Sequence, residues 1–158
     1  MSPDGPGRVV AWAREMRLVH QRLRQAVELA RADAAAGAPA STPSSDLLLH
    51  CWGSCLALSG HHGGEDRLLF PALTGQHPEL VEVVGRLRQD HDMIESLITA
   101  FREAVERREP PASLDRHLEG LAAVVESHFG YEERQLLAVL ESLDLEAPVE
   151  EVLGPLAG

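Results

Sequence analysis

Residues 59–71 read Ser-Gly-His-His-Gly-Gly-Glu-Asp-Arg-Leu-Leu-Phe-Pro. Two histidines, two glycines and two acids stand directly before an apolar run that a proline closes. As helix, each glycine costs about 1 kcal/mol relative to alanine. As loop, Leu68, Leu69 and Phe70 would have no core face to fill. The helical reading places His61 and Glu65 on one face, with Cβ atoms roughly 5 to 6 Å apart. The same i+4 spacing recurs at His91 and Glu95 and again at His128 and Glu132, so the cluster belongs to a pattern of helices.

Working outward, apolar residues recur at helical spacing from Arg8 to Ala36 (Val9, Trp12, Met16, Val19, Leu23, Val27) before the Gly-Pro-Ser-rich stretch 37–45. A second helix is expected from about Asp46 to Leu69, capped by Ser44 or Ser45 and stopped by Pro71. A third starts at Pro78 and runs to about Arg108, where Pro110 and Pro111 end it. A fourth follows Ser113 and closes near Leu143. Four helices with short connections predict an all-α, up-down-up-down antiparallel four-helix bundle over residues 1–143. Residues 144–158, acidic and proline-containing, read as a surface tail with one short helix around Val149 to Leu153.

Composition agrees. A chain of 158 residues suits one domain, and an aromatic content of 4% beside abundant Leu, Val and Ala favours helix over sheet. The net charge of −11 disfavours nucleic acid and anionic membrane surfaces as partners. No run approaches the roughly 18 apolar residues of a membrane span, and Met1–Gly7 lacks the features of a signal peptide, so a cytoplasmic protein is expected. Cys51 and Cys55, four apart on a helix, are poorly oriented for a disulfide and read as reduced thiols.

Each long helix carries one histidine at a matching height. His20 lies 16 residues before Ala36 and His61 lies 16 after Ser45; His91 lies 17 before Arg108 and His128 lies 15 after Ser113. At about 1.5 Å per residue each hairpin brings its pair level to within about one turn. A lone histidine on a helix is ordinarily a surface or satisfied core residue. Several imidazoles and carboxylates buried at one level are different, because without a cation they would cost more than a domain's whole stability. The ligand types are borderline-to-hard nitrogen and oxygen donors, too many for one tetrahedral zinc. Two bridged metals in the core, iron or manganese by preference, suit them.

These residues resemble the hemerythrin-like (HHE cation-binding) family, a non-haem di-iron four-helix bundle, over about Arg8 to Leu143. The most specific stretch is His61-x-x-x-Glu65-Asp66-x-x-Leu69-Phe70-Pro71, followed by Asp90-His91-Asp92 and His128-x-x-x-Glu132-Glu133. The resemblance implies that His20, His61, Glu65, His91, His128 and Glu132 hold two non-haem irons, with Glu65 and Glu132 bridging and manganese or zinc as lesser candidates. His62 and Glu95 are secondary candidates. Glu95 stands where oxygen carriers of the family place a second third-helix histidine, and His62 where some iron-binding members place an extra acid. Asp66 is expected to accept from an imidazole N–H. Gly63 and Gly64 leave room beside the metals for an exogenous ligand, or mark a kink.

The expected function is reaction with a small oxidant, O₂, peroxide or nitric oxide, with peroxide turnover foremost; no catalytic residue is assigned. The alternative is a binding protein without turnover: a sensor, carrier or store of O₂, nitric oxide or iron. A monomer or weak homodimer is expected. One further layer is legible: His50 and His117 each precede a candidate ligand by 11 residues, about three turns, and Arg31 and Arg102 reach the same level.

Overall fold

The computed structural model describes residues 10–35 and 45–157, with side chains described over 10–34 and 53–157. The described residues are mostly helical, and no strand occurs among them. Four long helices carry the architecture: α1 (Trp12–Ala35), α2 (Ser45–Gly64), α4 (Val81–Glu106) and α5 (Pro111–Leu140). Between α2 and α4 lie a single π turn (Glu65–Leu69), α3 (Phe70–Gln76) and a 3₁₀ turn (Pro78–Leu80); α6 (Val149–Leu153) follows α5. Helix α1 packs against α2 and α5, and α4 packs against α5 and α2. Every long helix thus has two long neighbours.

The sequence dictates which faces meet. On α1, Trp12, Met16, Val19, Leu23, Ala30 and Ala34 fall at alternating steps of three and four, or multiples of them, and all are buried; this is the apolar seam of paired helices. On α5 the seam is Leu118, Leu121, Val125, Phe129, Leu136 and Leu140. Helix α2 differs, having Asp46 as its single charged residue apart from histidines. A helix lacking a solvated charged face is covered on more than one side.

Pro71 does not stop the helix as expected. The chain passes through it by way of the π turn and continues to Gln76. In a π turn the N–H of residue i+5 bonds the carbonyl of residue i, as Phe70 does to Glu65. Pro71 has no N–H to return to Asp66, and the Asp66 carbonyl accepts instead from Arg88 Nη2 at 3.2 Å. The break falls at His77, whose φ of −133° leaves the helical region, and Pro78 opens the next turn. Helix α5 begins at Pro111 rather than after Ser113, proline at the first helical position losing no bond. Helix α4 stops sharply because Arg108 takes φ +54°, letting Glu109 N–H reach Ala104 O and Arg108 N–H reach Val105 O.

The segment after Leu143, expected as a surface tail, is docked. Val152, Leu153, Gly154 and Ala157 are buried, and α6 lies on α2, α1 and the π turn. Trp12 Nε1 donates to Leu145 O at 3.1 Å, and Arg22 Nη1 donates to Leu156 O at 2.7 Å. This docking accounts for Gly64. A Cβ there would stand 2.4 Å from Val152 O and 2.6 Å from Glu151 O, so the glycine admits the α6 backbone rather than a ligand. A Cβ at Gly63 would meet only Arg67 Nη1, at 3.7 Å. Gly64→Ala is therefore expected to destabilise by about 1–3 kcal/mol through overpacking. Gly63→Ala should instead gain up to about 1 kcal/mol of helix propensity. Thermal melts of the two variants on either side of the parent check this, and equal shifts would refute it.

Candidate metal centre

The four long helices and the π turn bring seven side chains together. His20 comes from α1, His61 and His62 from α2, Glu65 from the π turn, His91 from α4, and His128 and Glu132 from α5; all are buried. Their donor atoms form two groups. His62, Glu65, His91 and His128 each offer an atom within 4.8 Å of the others, and so do His20, His61 and Glu132. The six principal residues expected from the sequence are thus all brought together. His62 joins them, and Glu95 does not. Glu95 is exposed, accepting a hydrogen bond from the Ser59 hydroxyl.

Four imidazoles are gripped from behind at Nδ1. His20 Nδ1 meets Glu133 Oε1 at 3.0 Å, His61 Nδ1 meets Leu153 O at 2.9 Å, His91 Nδ1 meets Asp66 Oδ1 at 2.9 Å, and His128 Nδ1 meets Asp90 Oδ2 at 3.0 Å. Carbonyls and carboxylates only accept, so each Nδ1 carries a proton, and it is Nε2 of each ring that is turned inward, where its lone pair is available to a cation. Asp66 takes the role expected of it. Glu133, Asp90 and the Leu153 carbonyl are additional supports. The two acids stand beside candidate ligands in the sequence, whereas a main-chain carbonyl leaves no sequence signal. His20 also stacks on Phe129, ring centroids 3.9 Å apart, and His62 on His91 at 3.9 Å.

Facing inward, Nε2 of His20, His61, His91 and His128, both ring nitrogens of His62 and both oxygens of Glu65 and Glu132 are buried without a hydrogen-bond partner. Some approach closely without hydrogen-bond alignment: His20 Nε2 is 3.0 Å from Glu132 Oε1, and His61 Nε2 is 3.2 Å from Glu65 Oε1. Lone pairs facing lone pairs at such distances repel unless something positive sits between them. A proton serves in part. Burial and the neighbouring Glu132 push the Glu65 carboxyl well above its ordinary range. Burial opposes charge on His20, but Glu132 and Glu133 outweigh it and raise its pKa. Burial likewise opposes the Glu132 charge, and His20 overrides it to hold that carboxyl low. Two cations satisfy the same atoms more completely, and the donor set fits them.

The metal-free chain should betray this arrangement by its pH response. Burial lowers His61 to about 3 and His62 well below its ordinary value, and it lowers His91 less severely. Unfolded histidines take up protons near pH 6.5, so these three withdraw stability as pH falls below that value. Glu65, raised, acts oppositely, its contribution present below about 4.5 and lost as pH rises through its folded value. His20, also raised, contributes stability that is already complete below about pH 6.5 and so does not change in this window, and three rings that refuse a proton outweigh one carboxyl that keeps one. The metal-free melting temperature is expected to fall from pH 6.5 to 4.5, and a flat or rising profile would contradict the burial of these rings.

A buried histidine and glutamate cluster held between helices is the mark of a helical cation-binding protein. The chain belongs to the hemerythrin HHE cation-binding domain family, whose family model matches residues 13–140, from the first turn of α1 to the end of α5. Comparison with curated proteins and with solved structures yields no match.

Of the second polar layer, His117 and Arg31 lie half-buried beside acids. His117 Nε2 stands 3.6 Å from Glu109 Oε1, and Arg31 lies 3.6 Å from Glu28 and 3.9 Å from Asp115. The acid beside His117 stands in the connection between α4 and α5, and those beside Arg31 stand on α1 and α5. His50, on which the layer also depends, lies outside the described side chains. Cys55 is buried and makes no disulfide among the described residues, while the Cys51 side chain lies outside them. No helix among the described residues is long and apolar enough to cross a membrane.

Proposed function

We propose that this chain is a non-haem di-iron protein of the cytoplasm, an up-down-up-down antiparallel four-helix bundle that reacts with a small oxidant, peroxide foremost. His62, Glu65, His91 and His128 would hold one iron, and His20, His61 and Glu132 the other, with Glu65 and Glu132 as the proposed bridging carboxylates. The nitrogen and oxygen donor set favours iron or manganese over zinc. Bound iron would supply Lewis acidity and electrons.

The observation that carries the peroxide reading is the backing of the rings. Carboxylates sit behind His20, His91 and His128. Such partners raise the basicity of a ligating imidazole and so favour the more highly charged metal, for which peroxide rather than O₂ is the natural reactant. Phe129, Leu69 and Phe70, all buried, keep bulk water from the cluster.

One observation favours a second reading, reversible oxygen binding without turnover. His62 lies in the core and offsets the imidazole missing at Glu95. Elemental analysis, an optical spectrum and an oxygen electrode test both. Two irons per chain and rapid oxygen release on adding peroxide are expected. Spectral changes reversed by removing O₂, with no oxygen released from peroxide, would favour the binding protein, and a single zinc would overturn both.

A further inference from the structure

The support of His61 is unlike the other three. It comes from a main-chain carbonyl near the end of the chain, 92 positions away in sequence. Every feature around that bond serves the close approach of two backbones. Gly64 leaves space for Val152 O, and Gly154 sits at φ +93°, where a Cβ would stand 2.7 Å from His61 N. Val152 and Leu153 are buried to 0% and 1% exposure. Beyond them, Arg22 of α1 holds the Leu156 carbonyl, tying the segment to the helix that supplies His20.

We propose that the C-terminal segment 145–157 is a structural part of the metal centre: the Leu153 carbonyl fixes His61 as its Nδ1–H tautomer, so that capture of a cation by His20, His61 and Glu132 depends on the seating of α6. This inference rests on the metal-binding reading above. A carbonyl oxygen cannot donate, so while α6 is seated the Nε2 lone pair is committed inward. With α6 displaced, water, which donates as well as accepts, replaces the carbonyl. His61 then divides between tautomers, one of which points an N–H at the cation position. The other group keeps its supports, because the bonds of His91 to Asp66 and of His128 to Asp90 are made between side chains of α4, α5 and the π turn, and although the π turn packs against α6, no α6 atom takes part in either bond. The two halves of the centre therefore differ in what assembles them: one is complete within the helices, and the other is completed by the tail.

The test uses full-length variants in the tail alone. Val152→Asp places a charge at a fully buried position and should unseat α6. Gly154→Ala, strained at positive φ and crowded against His61, does so more gently, and it decides the matter if Val152→Asp does not fold. Histidine-ring nitrogen NMR of metal-free protein should show His61 as one Nδ1–H tautomer in the parent and as a mixture in the variants, with His91 and His128 unchanged. After loading with ferrous iron, the variants should release about half of their metal to a chelator at least tenfold faster than the parent. A single His61 tautomer together with parental release in the variants would overturn the proposal. Equal acceleration for all the metal would overturn it too, since the tail would then merely stabilise the fold. A parent chain that binds no iron would defeat the functional reading instead, while the metal-free spectra would still decide whether the tail sets the His61 tautomer.

Discussion

Glu65→Met is expected to change the sign of its effect with metal: it should abolish binding of at least one cation, yet raise the stability of the metal-free chain. In the metal-free chain the Glu65 oxygens are buried and unpartnered, and the carboxyl is driven to its neutral form. Replacing such a group by an apolar one of similar volume is nearly neutral or stabilising, here by about 1–3 kcal/mol. Glu132→Met should behave differently. His20 depends on Glu132 for its raised pKa, and removing one partner of a buried pair costs about 3–5 kcal/mol. The pair of variants thus separates a carboxylate whose use is confined to the metal from one that also balances a buried ring. Calorimetry on chelated and iron-loaded samples measures both. Destabilisation of the chelated protein by Glu65→Met equal to that by Glu132→Met would show that Glu65 has a structural partner, against the assignment.

The second large effect is that of metal removal. A site saturated to about 1,000 times its dissociation constant stabilises by about 4 kcal/mol, and for a chain of this size each kcal/mol moves the melting temperature by about 2–4 °C. Two occupied groups should therefore raise it by at least about 10 °C, and dialysis against a strong chelator should reverse the gain. A melt unchanged after metal loss has been verified by elemental analysis would mean that the cluster is decoupled from folding. That result would be hard to reconcile with side chains drawn from all four long helices and the π turn.

How much of this was legible depends on what kind of signal each feature leaves. The i+4 pairs and the level histidines follow from helical rise and connection length alone, and every principal candidate falls in the cluster. His62 was harder to assign. Adjacent residues on a helix point about 100° apart, so His61 and His62 cannot both face one partner. Both are buried because α2 is covered by α1, α4 and α6 together, and the clue was its lack of Lys, Arg and Glu. The passage through Pro71 depends on Arg88, a residue 17 positions later, reaching back to a stranded carbonyl. The docking of the tail leaves little sequence signal, because its hydrogen bonds to the bundle are made by main-chain atoms. Acidic residues at 144, 146, 150 and 151 advertise solvent, while the buried apolar residues, Val152, Leu153 and Ala157, come only after them.

The carboxylates behind the rings reach water. Asp66, Asp90 and Glu133 are 38%, 27% and 22% exposed, while the rings they hold are almost wholly enclosed. Each ring and acid thus forms a two-member conduit running from the pocket to the surface along a single hydrogen bond. A change of charge in an enclosed pocket is costly unless charged or hydrated groups answer it, and here each outer acid offers a hydrated carboxylate one hydrogen bond away from the cluster, so that no helix need part. His61 has no such conduit, because its support is an uncharged carbonyl on the buried side of α6. The pocket is therefore electrically open on three sides and insulated on the fourth.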